Sequence, residues 1–309
     1  LLSEYVGYLG YYLNPAEFPM HVARYTAFSG YTIIFLFLAV MGLSFVYWFF
    51  RYSERKIGGE IIGYTLTIPI VVTEFAIVLQ FLGKLPIEYL ITLLVTAGAA
   101  GVFLLTGSYL YGRYRENPLR QPLMLAAFSY STGISYLIYN IGEHIHWFYI
   151  GPQPWLDLIS IPMGMMTGGF LFLSAIYALE WKSLVLIPPV IIVPFVILAI
   201  IFGPVLPTWL FFSMIVAAIA LTVLPGVIFG ILWRKMSKAK EKGDGRVLGI
   251  FLGFLFILLA SPFQFIPMAP STDPTRILGS AMLLVGSMIF YAGISGRLDK
   301  WFYQPRSQQ

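Results

Sequence analysis

The chain has 309 residues, 59% of them hydrophobic and 11% charged, with a mean hydropathy of +0.82 and a net charge of +5. A soluble domain averages about 45–50% apolar and 25% charged residues, so a conventional wetted surface is excluded. The positive charge forms no basic domain or basic helix face, which argues against nucleic acid as a partner. The absence of cysteine excludes an iron–sulfur cluster on protein thiolates, disulfides, a cysteine nucleophile and a thiolate zinc site.

In chain order, residues 1–29 come first and are rich in tyrosine (Tyr5, Tyr8, Tyr11, Tyr12, Tyr25), with Glu4, Glu17, His21 and Arg24 among them. This mixture predicts an interfacial segment lying along the outer membrane surface. Apolar stretches of about 20 residues, the length that spans a ~30 Å hydrocarbon core, then recur to residue 295. Reading them against turn residues predicts spans near 30–50, 61–82, 87–111, 122–142, 156–179, 183–203, 208–232, 247–267 and 277–295. The fold class expected is all-α, a polytopic transmembrane helix bundle over residues 30–295, followed by a cytoplasmic tail at 296–309.

Nine spans put the two ends on opposite sides, and positively charged loops stay cytoplasmic. Of the 19 lysines and arginines, sixteen fall on one side of this arrangement, and Arg24, Lys84 and Arg276 on the other. One missed or invented span in the middle of the chain would scramble that split. It therefore predicts the N-terminus out and the C-terminus in, in the plasma membrane. Tryptophan, which prefers the headgroup region, agrees: Trp48, Trp181, Trp233 and Trp301 fall at inner boundaries, and Trp147, Trp155 and Trp209 at outer ones.

The second span carries Glu74, the one carboxylate unambiguously within a span. An ionised group there costs about 2.5–3.5 kcal/mol on insertion scales, so it needs a partner or a task. At 1.5 Å per residue it lies roughly 20 Å along its span, in the outer half. The fourth span ends in Tyr136, Tyr139, Asn140, Glu143, His144 and His146. Tyr136, Asn140 and Glu143 share a helix face by their spacing of four and three, and His144 follows Asn140 by four. All three histidines, His21, His144 and His146, fall on the outer side, and no comparable cluster exists on the inner side. A site formed by Glu74, Tyr136, Asn140, Glu143 and His144 would open outward.

In the fifth span, Gly164, Gly168 and Gly169 form a small-residue face suited to close helix contact. In the sixth, Pro188, Pro189 and Pro194 predict an interruption. The histidine set of a haem–copper oxidase, aspartate-rich magnesium motifs, a His-Glu-x-x-His helix and a phosphate-binding loop are all missing. Catalysis by the chain alone is not expected.

Quinone chemistry needs an apolar slot, hydrogen-bond partners for two oxygens and a carboxylate or imidazole for protons, and the outer cluster supplies these groups. In its nine spans, its lack of cysteine and its scarcity of histidine, the chain resembles the multispanning anchors of polysulfide-reductase type. It is also similar to the hydrophobic second subunit of the archaeal membrane cytochrome b. The resemblance carries no motif, and no residue role is transferred from it. It implies a membrane subunit of a respiratory electron-transfer complex that binds quinol, or docks an extracytoplasmic haem protein, at its outer face beside other subunits. Haem b, with His144 or His21 as an axial ligand, is the alternative cofactor to quinone. Two other readings are a transporter or channel, which requires polar residues continuing to the inner side, and a purely structural anchor. Abundant Ile, Leu, Val and Tyr without cysteine point to an archaeal or thermophilic source.

Overall fold

The computed structural model describes residues 59–81, 87–148, 154–202, 207–239, 244–265 and 274–298. Of the described residues 94% are helical, and none is in a strand. The eight α-helices are α1 (Gly59–Phe81), α2 (Ile87–Glu116), α3 (Arg120–Phe148), α4 (Pro154–Ala178), α5 (Ile187–Phe202), α6 (Thr208–Ala239), α7 (Asp244–Phe265) and α8 (Pro274–Ile294). They correspond to the second to ninth expected spans. The interfacial segment 1–29, the first span at 30–50 and the tail beyond residue 298 lie outside the described residues.

Four of the described helical stretches are long and apolar enough to cross a membrane, as expected of a membrane protein: Leu90–Glu116, Lys182–Phe202, Phe212–Lys238 and Ile277–Ile294. Shorter apolar runs occupy α1, α4 and α7. α3 is different in kind: its 29 residues include Ser129, Tyr130, Ser131, Thr132, Ser135, Tyr136 and Asn140. Most of these hydroxyls donate to carbonyls one turn back in α3 itself, Ser129 to Leu125, Thr132 to Phe128 and Ser135 to Ser131. A polar helix can sit inside an apolar bundle when its side chains are satisfied in this way.

Consecutive helices run antiparallel. The contacts between α1 and α2 pair Gly63 with Leu105 and Thr67 with Gly101, and those between α2 and α3 pair Leu93 with Asn140 and Ser108 with Tyr130. α7 and α8 pair Gly249 with Gly293 and Gly253 with Gly286. Six helices close a ring in the order α2, α3, α4, α6, α7, α8 and back to α2, with α1 outside against α2 and α5 outside against α4 and α6. The ring is filled by one core to which all six contribute, Phe103, Phe128, Leu171, Phe229, Phe254 and Phe290 among them. Because lipid is as apolar as these side chains, close packing and dispersion hold this core, not exclusion from water.

Glycines set the closest approaches. Gly168 meets Leu221 and Thr222 of α6, and Gly169 meets Pro188 and Ile192 of α5, so both lie at the helix contacts expected of them. Gly164 faces open space. The proline expectation needs revision in detail. Pro188 and Pro189 fall in the first turn of α5, after a short 3₁₀ turn at Lys182–Leu184. There a missing N–H breaks no helical bond. Only Pro194 lies inside that helix, while Pro69, Pro162 and Pro225 lie inside α1, α4 and α6. The turn before it closes α4 with Trp181 N–H donating to Ile176 O, and with Glu180 at φ 58°, a position that usually takes glycine.

α5 is the most apolar of the described helices and, of the four membrane-length stretches, the least covered, with 11% buried. Its exposed Val190, Val193, Ile197, Ile200 and Ile201 suit acyl chains as solvent.

Candidate functional site

Alternation brings the C-terminal end of α1, the N-terminal end of α2, the C-terminal half of α3 and the N-terminal end of α8 to one end of the bundle. Three of the expected site residues have described side chains there, and all are buried: Glu74 is 7% exposed, Asn140 3% and Tyr136 8%. Asn140 Nδ2 donates to Leu93 O of α2 at 3.1 Å. The contacts of Gly63 with Leu105 and of Thr67 with Gly101 step along α1 and α2 four residues at a time in opposite directions. Glu74 lies further along α1 in the same direction, at the end of the bundle that holds Leu93 and Asn140. Glu74 and Asn140 are therefore buried at the same end of the bundle, on α1 and α3, which both pack against α2. Tyr136, one turn back from Asn140, stacks on Phe103 at 6.3 Å with the rings 17° apart.

One atom stands out. Asn140 Oδ1 is the only buried side-chain oxygen or nitrogen without a hydrogen-bond partner among the described residues. An unmet carbonyl in a dry interior costs about 1–3 kcal/mol, and it is chemically a waiting acceptor. Three residues along α2 from Leu93, Thr96 Oγ1 donates to Ser280 Oγ at 3.2 Å across the α2–α8 contact, with both residues fully buried. Thr96 and Ser280 escaped the sequence reading because a hydroxyl inside a span bonds to its own helix by default. The small residues around Thr96, Ala97, Gly98, Ala99 and Ala100, were the available sign that another helix comes close there.

Beyond Tyr136 the ring is closed by aromatic side chains. Phe103, Phe128 and Phe290 are all but fully buried, with centroids 5.5–6.4 Å apart. Further on, Ser108 Oγ and Tyr130 Oη are 2.8 Å apart, and Thr106 and Ser287 donate to carbonyls of their own helices. No unmet polar group continues the line among the described residues.

Glu143 and His144 fall in the last turns of α3, but their side chains are outside the described set, as is the whole of His21. Among the described residues no group of three or more His, Asp or Glu is placed to hold a metal ion. No protein family, curated protein or solved structure matches the chain.

Proposed function

We propose that this chain is an integral membrane subunit of a respiratory electron-transfer complex, and that its outer half binds a quinol or docks an extracytoplasmic haem protein. It crosses the plasma membrane nine times, N-terminus out and C-terminus in, with its partner subunits against the outer face. The observation that carries the reading is the Asn140 carbonyl, buried without a donor at the same end of the bundle as the buried Glu74. A quinol hydroxyl is a donor of the kind that carbonyl lacks. Asn140 would hold such a hydroxyl, Tyr136 would offer a second hydrogen bond, and Glu74 would take up or return a proton at its carboxyl. When bound, the quinone supplies two-electron redox chemistry, for which this chain has no group of its own.

A transport path has less support, because the polar cluster ends at the Phe103–Phe128–Phe290 rings. The complex purified from its native membrane is expected to carry quinone in its lipid extract or reduced b-type haem bands in its visible spectrum. A preparation with neither, from an intact assembly, would reject the electron-transfer reading and leave a structural anchor.

The orientation rests on charge and aromatic placement. Arg113, Arg115, Arg120, Lys182, Arg234, Lys235, Lys238, Arg246 and Arg297 all lie at one end of the alternating bundle. Rings gather there too: Arg120 stacks over Tyr177 at 5.7 Å, and Trp233 on Phe251 at 6.3 Å. A cysteine placed at Ser271 should react with an impermeant maleimide added outside, and one at Ser237 only after permeabilisation. Reversed labelling would overturn the topology.

A further inference from the structure

At the basic end, two arginines behave differently from ordinary loop charges. Tyr109 of α2 and Tyr291 of α8 meet edge to face, 6.2 Å apart at 84°. Arg113 lies over the ring of Tyr109 at 5.7 Å, and Arg297 over the ring of Tyr291 at 5.2 Å. Each guanidinium is thus held by a cation–π contact, and neither forms an ion pair with a described residue. A third guanidinium, that of Arg246 at the start of α7, rests against Gly296, the residue next to Arg297. Gly296 has φ +74°, and a Cβ there would stand 3.0–3.4 Å from the Arg246 side chain, so the glycine makes room for it. Three helices therefore bring three exposed guanidinium groups to the end of α8. The ring contacts hold two of them against the aromatic pair.

An arginine kept only to orient the chain in the membrane needs no fixed geometry. We infer that Arg113 and Arg297, ordered on the Tyr109–Tyr291 pair and joined by Arg246, form a binding site for the phosphodiester headgroup of an anionic phospholipid. Planar guanidinium forks match phosphate oxygens two at a time, and basic clusters between helices on the cytoplasmic side are favourable places for such headgroups. Lipid fits better than a soluble anion because of the wall leading to the site. Leu278, Val285 and Met288 share one exposed apolar face of α8, which runs toward the same end and offers the acyl chains a surface.

The test uses the full-length protein in nanodiscs of equal phosphatidylglycerol and phosphatidylcholine, with retained lipid read by native mass spectrometry. Wild type is expected to retain phosphatidylglycerol selectively. The double substitution Arg113→Gln/Arg297→Gln is expected to weaken that retention roughly 30-fold, the equivalent of ~1 kcal/mol for each arginine. Lys235→Gln/Lys238→Gln, which removes two exposed charges at the same end outside the cluster, should leave it unchanged. Arg113→Lys/Arg297→Lys keeps the charge without the fork and should fall between. Equal retention of both lipids by wild type would overturn the proposal, a result that needs no variant to fold. An equal loss in the Lys235→Gln/Lys238→Gln variant would overturn it in favour of diffuse attraction. Displacement of the lipid by millimolar inorganic phosphate would overturn it in favour of a soluble-anion site.

Discussion

A single methyl group added at Gly249 is expected to lower the stability of the bundle by about 1–3 kcal/mol, the usual cost of overpacking a well-packed contact. A Cβ there would stand 2.4 Å from Gly293 Cα, and one at Gly253 would stand 2.7 Å from Gly286 O and from Phe290 N. These obstacles are backbone atoms, so no rotamer change relieves them and α7 must move away from α8. That contact carries one side of the ring core, through Ile250, Phe254 and Ile257 of α7 and Leu283 and Phe290 of α8. Gly164→Ala is the internal control, since nothing lies within 4 Å of the added methyl. There alanine replaces glycine within a helix and should stabilise by up to ~1 kcal/mol. Thermal unfolding in detergent of Gly249→Ala, Gly253→Ala and Gly164→Ala would read the difference in sign. A Gly249→Ala protein as stable as Gly164→Ala would show that the α7–α8 approach is not this close.

The same glycines show why the sequence was informative in some places and silent in others. Span positions come from composition over about 20 residues, and every described helix lies where an apolar run places it. α3 is the instructive one: it carries hydroxyls along its length, yet it packs between α2 and α4. Its span at 122–142 came, like the others, from an apolar run read against the turns on either side. Gly168 and Gly169 were legible as contact residues because small side chains spaced along one helix face announce a close neighbour. Gly249, Gly253, Gly286 and Gly293 act at least as tightly, but the partner helix of a glycine is a property of the fold. The site divides in the same way. Spacing alone put Tyr136 and Asn140 on one face of α3, because both belong to one helix. That Glu74 is buried near the same end depends on the packing of α1 against α2, where Gly63 and Gly101 make the close contacts. The aromatic closure by Phe103, Phe128 and Phe290 draws on three helices, and no local pattern in a chain with 26 phenylalanines singles out those three.

Glu74→Gln and Asn140→Leu are expected to leave assembly intact while quinol-linked turnover falls about 10²–10⁴-fold in the glutamine variant, the range that a positioned proton acceptor supplies. Glutamine keeps the volume of Glu74 and most of its hydrogen-bonding capacity, so packing against α2 survives and only the exchangeable proton is lost. The leucine variant asks the complementary question. It removes the donor to Leu93 O together with the unmet Oδ1. If Asn140 only packs α3 against α2, exchanging it for an apolar side chain of similar size should be near neutral, since it removes an unsatisfied acceptor along with one hydrogen bond. If that acceptor receives a quinol hydroxyl, the bundle should still be stable, but quinol binding should weaken about tenfold or more, at ~1.4 kcal/mol per tenfold. Stability and binding then move independently, and no structural role predicts that. The pH dependence of turnover separates the two residues. It should change when Glu74 loses its titrating group and stay as in wild type when Asn140 is replaced, because an amide does not titrate between pH 5 and 9. Full turnover in the glutamine variant at every pH, with normal quinol affinity in the leucine variant, would leave both side chains as helix-packing groups and remove the site from the outer half of the bundle.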